Sequence, residues 1–251
     1  MGYREHYESL LARHYSWMSG PFAEKAAAEK ARLLEMGVRP GGLAADLGSG
    51  PGYQAAALAD LGFARVLALD TSAVLLDELR RNLRGAPVEP VEADILQIAD
   101  HVGPGTADCV TCMGDTLPHM PSRDAVTALF RAVHTALKPG GVFVLTWRDL
   151  TAARVGAERF LMPRADDDCI LSCFLETVDE DRVRVHDIVH ARADEGWTMQ
   201  VSAYEKLRLS ATWVSARLEA CGLSVVKQQE AGGFVAVVAA RERLSEQGKT
   251  Q

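Results

Sequence analysis

The chain has 251 residues, five cysteines and a formal net charge of −7. This length suits one large α/β domain or a core with an added segment, and the acidic charge gives no broad attraction to nucleic acid. No apolar run approaches the roughly 18 residues of a membrane span and the N-terminus lacks a signal-peptide core, so we expect a cytoplasmic protein with no membrane partner.

The first forty residues predict helices. Apolar and aromatic residues recur at helical spacing from Tyr7 to Tyr15, and an alanine-rich run from Phe22 to Met36 repeats the pattern. Ser19-Gly20-Pro21 separates the two runs, and Pro40-Gly41-Gly42 ends the second. We expect residues 1–40 to form a helical lid.

Strands and helices then alternate. The expected strands lie near 43–47, 65–70, 88–92, 108–113 and 141–147. The expected helices lie near 53–61, 73–84 and 122–137, with Ser122 as a cap and Lys138-Pro139-Gly140-Gly141 as the end of the last one. This alternation predicts an α/β fold with a doubly wound, Rossmann-like parallel sheet, in which ligands bind at the carboxyl ends of the strands.

The pattern changes after Trp147. Residues 148–165 look irregular, and three strand-like runs follow at 169–178, 182–193 and 198–208. A helix at 211–221 and strands at 223–229 and 233–241, joined by a turn at Gly232-Gly233, complete the core. We therefore expect a core of residues 41–147 and 211–241, with an antiparallel β insertion at 148–210 that covers the substrate.

The most informative stretch is Asp46-Leu47-Gly48-Ser49-Gly50-Pro51-Gly52, where a short apolar strand runs into three closely spaced glycines. Glycine lets a backbone pass close to a ligand, and Asp70, at the end of the next strand, can accept both hydroxyls of a ribose. Pro51 removes a backbone N–H and Asp46 repels pyrophosphate, while a carboxylate suits an amino group. The pattern favours a nucleoside with a cationic amine, over a dinucleotide or a glycine-rich turn without a ligand.

This segment resembles motif I of class I S-adenosylmethionine-dependent methyltransferases. The resemblance implies a seven-stranded sheet with an antiparallel last strand, S-adenosylmethionine as cofactor and S-adenosylhomocysteine as its product. The implied cofactor-binding residues are Asp46, Gly48, Ser49, Gly50, Gly52, Asp70, Thr71, Asp94, Ile95 and Met113. Of these, Asp94 would accept from the adenine amino group and Ile95 would pack on the ring; the alternative for Asp94 is a helix cap.

A closer resemblance, to glycine and sarcosine N-methyltransferases, rests on short segments. That family has a Gly-Asn-Ser-x-x-His-Leu motif after the fourth strand, where this chain has Gly114-Asp115-Thr116-Leu117-Pro118-His119-Met120. The resemblance implies that Gly114 and His119 contact the substrate, and that Asp115 and His119 are catalytic candidates. Aspartate in place of asparagine favours a cationic or hydroxyl-bearing partner.

The same resemblance extends to both ends of the fold. Arg148 matches a family arginine that holds the substrate carboxylate, by the bidentate contact that a guanidinium makes; its alternative is an ion pair with Asp149 or the insertion. Tyr15 matches a tyrosine that points at the transferred methyl group, with Trp17 beside it in the substrate site, and helix packing is the alternative for both. Lys25 is the nearest basic residue to a family arginine that takes the cofactor carboxylate.

The cysteines predict no metal site. Cys109 and Cys112 lie three apart on an expected strand and so face opposite sides, and Cys169 and Cys173 lack further ligands at zinc spacing. We interpret all five as packing residues or free thiols.

Together these patterns predict a methyltransferase that acts on a small molecule, at an amine nitrogen and in particular that of a carboxylate-bearing amine. The alternatives are an O-methyltransferase of a small metabolite or natural product, and then a nucleic-acid or protein methyltransferase. Two further alternatives are a binding module that uses the same cofactor pocket and a nicotinamide-dependent dehydrogenase. The sequence does not determine the oligomeric state, and a homodimer is one of the states that it allows.

Overall fold

Two β-sheets organise the chain in the computed structural model, which describes residues 6–231 and 233–243. The strands in chain order are β1 (Leu43–Leu47), β2 (Arg65–Asp70), β3 (Val88–Glu92), β4 (Ala107–Cys112), β5 (Leu137–Arg148), β6 (Phe160–Ala165), β7 (Cys169–Thr177), β8 (Arg182–Ala193), β9 (Gly196–Leu207), β10 (Leu223–Ala231) and β11 (Phe234–Arg241). The α-helices are α1 (Ala12–Ser19), α2 (Phe22–Glu35), α3 (Tyr53–Leu61), α4 (Ala73–Asn82), α5 (Ile98–His101), α6 (Arg123–Ala136) and α7 (Ala211–Ala220). A π-helical turn, Tyr7–Leu11, precedes α1, and 3₁₀ turns lie at Ile95–Gln97, Leu117–His119 and Gly156–Arg159.

The large sheet has the order β10-β11-β5-β4-β1-β2-β3. Strands β1 to β5 are parallel, and β11 runs antiparallel to both of its neighbours. The predicted seven-stranded sheet with an antiparallel last strand is therefore confirmed. Because β1 pairs with both β2 and β4, the strand order reverses there, and a crevice opens at the carboxyl ends of these strands.

Apolar side chains on the two faces of this sheet form separate cores. One core contains Phe130, Phe143 and Trp147, and the other contains Leu58 and Phe63. Cys112 belongs to the first core and Cys109 to the second, as expected for strand residues three apart. All five cysteines are free, and the described residues contain no cluster of three metal-ligating side chains.

The smaller sheet has the order β6-β7-β8-β9 and is antiparallel throughout. Its inner face carries Leu171, Val185 and Tyr204, which are buried. The helical segment before β1 packs on this face through Leu10 and Leu11. Among the described residues, no helix has the length and apolar character needed to cross a membrane.

Two expectations about these elements were wrong. Strand β5 begins at Leu137 and not at 141, because α6 ends at Ala136 and Leu137 already pairs with Ala107 before a bulge. The stretch 148–165 also contains a strand, β6, so the insertion has four strands and not three. Because the apolar Phe160 and Met162 are exposed, this strand lacks the alternation of buried apolar and exposed polar residues by which a strand is recognised in a sequence. The break between the two N-terminal helices lies where expected, at Gly20 and Pro21 between α1 and α2. Gly232, in the predicted last turn, lies outside the described residues.

Candidate active site

The glycine loop after β1 is tied to the end of β2. The backbone amides of Gly48 and Ser49 donate to the Leu69 carbonyl at 2.8 and 3.0 Å, and the amide of Gly50 donates to Asp70 Oδ2 at 2.8 Å. Gly48 and Gly50 have φ angles of +73° and +53°, the left-handed region that favours glycine. The loop and the acid therefore form one rigid unit.

A cavity of about 320 Å³ opens beside this unit. Its walls include Gly50, Asp70, Thr71, Asp94 and Ile95. Each oxygen of the Asp70 carboxylate accepts one backbone N–H, from Ser72 for Oδ1 and from Gly50 for Oδ2, and each retains acceptor capacity. Burial raises the pKa of Asp70 while these N–H donors lower it. The cavity thus presents a hydrogen-bond acceptor at one end and the apolar Ile95 near Asp94.

Asp94 also caps the turn Ile95–Gln97. Its Oδ1 accepts the amide of Leu96 at 3.0 Å, and its own amide donates to Gln97 Oε1 at 3.1 Å. The capping alternative from the sequence is therefore present, and the same residue lines the cavity.

A second cavity, of about 490 Å³, lies between the large sheet, α1, α2 and the inner face of the small sheet. Its walls include the sequence-predicted Lys25, Ser49, Met113, Gly114, Asp115 and Arg148. Four residues line both cavities, namely Tyr15, Gly48, Thr116 and His119. The two spaces therefore share a wall at the carboxyl end of β1.

Tyr15 and His119 are both neutral at this shared wall. Burial, together with Tyr53, Asp70 and Asp115, raises the pKa of Tyr15 far above its ordinary value. Burial and the positive charge of Lys206 hold the pKa of His119 well below its ordinary value. Tyr15 thus keeps its phenolic proton and His119 keeps an unprotonated nitrogen at neutral pH.

Asp115 has a cationic partner within the chain. Its Oδ2 pairs with the Nζ of Lys206, a buried residue of β9, and its Oδ1 accepts the backbone amide of Arg148 at 3.1 Å. Asp115 thus pairs with a cation of the protein, whereas the sequence led us to expect a cationic or hydroxyl-bearing acceptor beside it. Lys206 was missed, because nothing local marks one lysine in an alternating strand.

The Arg148 side chain faces the second cavity, and no described carboxylate pairs with it. Its guanidinium carbon lies 4.6 Å from the centroid of the Phe234 ring, and its buried Nε has no hydrogen-bond partner among the described residues. The alternative ion pair with Asp149 is absent within the described chain, and Asp149 Oδ1 accepts the Thr151 amide at 2.8 Å. The guanidinium is therefore available to an anionic ligand.

Asp46, only 1% exposed, lies directly before the glycine loop. Its Oδ1 accepts from the Thr111 hydroxyl at 2.8 Å, and its buried Oδ2 has no partner within the described residues. Burial raises the pKa of Asp46 to about 7, and the charges of Asp70 and Glu29 add to the effect. Glu29 pairs with Lys25 at 2.9 Å. This corner of the site combines two carboxylates with one ammonium group.

Three predicted site residues line neither cavity, namely Asp46, Gly52 and Trp17. A Cβ at Gly52 would lie 2.9 Å from Leu79 Cγ, so Gly52 permits packing of the loop on α4 and lines neither cavity. The indole N–H of Trp17 donates to Asp166, and the Arg164 guanidinium lies 5.7 Å from the Trp17 ring. Trp17 thus joins α1 to the insertion and lines neither cavity.

Comparisons with known proteins agree with this geometry. Residues 44–141 match the family described as a methyltransferase domain. The chain is 38% identical over 104 residues to the cypemycin N-terminal methyltransferase of a Streptomyces species, covering 41% of each protein. It is 32% identical over 160 residues to a ubiquinone biosynthesis O-methyltransferase of Xanthomonas euvesicatoria pv. vesicatoria, covering 60% of this chain and 64% of that protein.

Among solved structures, the amino pentose methyltransferase CalS10 of Micromonospora echinaspora, with S-adenosylmethionine bound, superposes with a TM-score of 0.71. The match covers 96% of this chain and 98% of the other, at 18% identity. The chain spans less than two thirds of the length of each of the two curated relatives above. Residues 44–141 thus match a methyltransferase domain, and the chain has the fold of the class I S-adenosylmethionine-dependent methyltransferases to which it is similar.

Proposed function

We propose that the protein transfers a methyl group from S-adenosylmethionine to the amine nitrogen of a small molecule. The observation that carries the proposal is the shared wall of Tyr15, Gly48, Thr116 and His119 between the two cavities. A donor in one cavity and an acceptor in the other would meet there, as an in-line displacement requires.

The residues present fit the cofactor. Asp70 would accept the ribose hydroxyls, Asp94 and Ile95 would flank the adenine, and the unpartnered Oδ2 of Asp46 would attract the amino group of the methionine part. Gly50 leaves space that a Cβ would fill. Lys25 would pair with the methionine carboxylate. Bound S-adenosylmethionine supplies a methyl carbon that is already activated by its sulfonium.

The protein's own contribution is alignment and exclusion of water. In this proposal the helices α1 and α2 form the lid of the second cavity, and the insertion of residues 148–210 forms its roof. Tyr15, which keeps its proton, can donate a hydrogen bond to a ligand at the shared wall. An amine must be unprotonated to attack, and the neutral His119 can accept an N–H from the incoming nitrogen.

The acceptor is a small amine that carries a carboxylate. The support is Arg148, whose buried Nε lacks a partner and whose guanidinium faces the second cavity. A hydroxyl acceptor is the second candidate, favoured by the similarity to an O-methyltransferase over 60% of the chain.

Calorimetry with S-adenosylhomocysteine and a radiolabelled methyl-transfer assay test the proposal. Amino acids, amino sugars and phenols serve as acceptors, and NAD serves as the control for a nicotinamide enzyme. We expect S-adenosylhomocysteine to bind and NAD not to bind, with transfer to carboxylate-bearing amines. The variant Arg148→Ala should raise KM for those amines selectively; an unchanged KM would remove the carboxylate from the proposal. Failure to bind S-adenosylhomocysteine would overturn the proposal as a whole.

A further inference from the structure

A buried carboxylate that the function above does not use lies in the wall of the second cavity. Asp187, on the inner face of β8, is 3% exposed. Its Oδ2 lies 2.9 Å from Nε2 of His6, which is fully buried, and its Oδ1 accepts from the Cys173 thiol at 2.8 Å. The His6 ring stacks on Tyr204 with a centroid distance of 4.2 Å.

Asp187 differs from the other carboxylates of the second cavity in the groups that it contacts. Two other carboxylates of this wall face a lysine, Glu29 facing Lys25 and Asp115 facing Lys206. Among the described residues, no lysine or arginine nitrogen lies within 4 Å of the Asp187 carboxylate, which meets an imidazole and a thiol instead.

Of the described groups packed around Asp187, only the His6 imidazole can carry a positive charge. Burial and the Asp187 charge raise the pKa of the Cys173 thiol, which stays protonated. Burial, Asp187 and Asp115 raise the pKa of Tyr204, which therefore stays neutral. His119 is neutral as well and stacks on the far side of Tyr204 at 5.3 Å. The cations nearest in this wall are Lys206, held by Asp115, and Arg148, placed over Phe234.

A buried carboxylate is costly unless its oxygens are hydrogen-bonded, and an N–H group of a bound ligand supplies such a bond. A carboxylate offers about four acceptor positions, so two remain on Asp187 after the contacts with His6 and Cys173. Those positions belong to a side chain that lines the acceptor cavity.

We propose that Asp187 binds an ammonium group of the acceptor other than the nitrogen that is methylated, and that His6 positions the Asp187 carboxylate. The inference rests on the proposed function and narrows its substrate class to cationic amines. Asp187 would determine specificity, since binding makes or breaks no covalent bond, and His6 would act through Asp187.

A matched pair of probes tests this inference. Cyclohexylamine, which is cationic at neutral pH, and cyclohexanol have the same shape, and each is titrated by calorimetry into protein saturated with S-adenosylhomocysteine. We expect cyclohexylamine to bind at least about tenfold more tightly, the scale of a hydrogen bond to a charged group. Asp187→Asn should abolish the preference and leave the affinity for S-adenosylhomocysteine unchanged, and His6→Gln should reduce the preference. The control is Asp194→Asn, an exposed acid at the turn of the same sheet.

Two results would overturn this inference without affecting the proposed function. One is equal affinity of the wild-type protein for cyclohexylamine and cyclohexanol, and the other is an unchanged preference for cyclohexylamine in Asp187→Asn. If Asp187→Asn does not fold, the wild-type comparison and His6→Gln still decide. A wild-type protein that does not bind S-adenosylhomocysteine would instead overturn the proposed function, on which the inference rests.

Discussion

The carboxylate of Asp70 accepts the backbone amide of Gly50 at 2.8 Å, so the acid that ends β2 is held against the glycine loop that follows β1. Two sequence signals twenty residues apart therefore form one structural unit. The acid orients the loop before any ligand binds, and such preorganisation reduces the ordering cost of binding.

Replacing the acid should weaken cofactor binding. The variant Asp70→Asn places an amide where the carboxylate accepts hydrogen bonds from Gly50 and Ser72, and it lacks the charge that strengthens bonds to ribose hydroxyls. We expect the Kd of S-adenosylhomocysteine to rise about tenfold to a hundredfold, the equivalent of roughly 1.5–3 kcal/mol. Asp77→Asn on α4, which removes an exposed ion pair with Arg80, is the calorimetric control and should leave Kd unchanged. An equal effect of both variants would contradict the role of Asp70.

A methyl group at Gly50 should block the nucleoside cavity. Gly50 has φ +53°, and the Cβ of Gly50→Ala would meet only Tyr15 Cε1, at 3.8 Å, on the cavity side. The matched control is Gly85→Ala, where φ is +84° and nothing lies within 4 Å. Both variants should lose about 1–2 kcal/mol of stability from left-handed backbone. Only Gly50→Ala should raise the Kd of S-adenosylhomocysteine, and similar Kd values in thermal-shift titrations would refute the assignment.

The parts of the site that the sequence predicted are local in the chain. Asp46 lies near the end of β1, Gly50 follows β1 and Asp70 ends β2. The apolar runs of these strands are easy to recognise, and strand order then brings the three residues together. Tyr204 and Lys206 reach the site only because a four-stranded insertion folds over the cavity, and no short-range pattern encodes that placement. One signal was present, since Asp187 occupies the apolar phase of β8 between Val185 and Val189. A charged residue in a buried phase marks a polar group that the interior must hold.

The ion pair of Asp115 and Lys206 should contribute a measurable coupling energy to the free energy of unfolding. Lys206→Met leaves a partly buried carboxylate without its cation, and we expect a loss of about 2 kcal/mol in the free energy of unfolding. Adding Asp115→Asn should recover part of that loss, with a coupling of roughly 1–2 kcal/mol in a double-mutant cycle from urea unfolding. Arg65→Met, in an ion pair whose side chains are more than half exposed, should cost less than about 0.5 kcal/mol. An additive cycle would show that the pair contributes nothing to stability.

The titration of Asp46 should make the cofactor-free protein less stable as pH rises. Burial raises the pKa of Asp46 to about 7 in the folded chain, from 3.8 in the absence of the fold. The folded state therefore binds this proton more tightly, and the associated stability is fully present below the unfolded pKa and lost as pH rises through the folded value. The amide of Asp46→Asn resembles the protonated acid and does not titrate. We expect the variant's stability advantage over the wild type to grow by roughly 2 kcal/mol between about pH 5 and pH 8.

Asp108 provides the control of opposite sign for this measurement. Burial raises its pKa, but the ion pair with Lys138 and the amides of Leu43 and Gly42 outweigh that effect, so the pKa of Asp108 is lowered. Its contribution is present above the unfolded pKa and lost as pH falls through the folded value, so Asp108→Asn should destabilise the protein at neutral pH and have less effect in acid. Denaturant unfolding of the three proteins from about pH 2 to about pH 8 tests both signs together. A gap between Asp46→Asn and the wild type that does not change with pH would mean that Asp46 carries no raised pKa, and the unpartnered Oδ2 would then require a partner or a water to explain its burial.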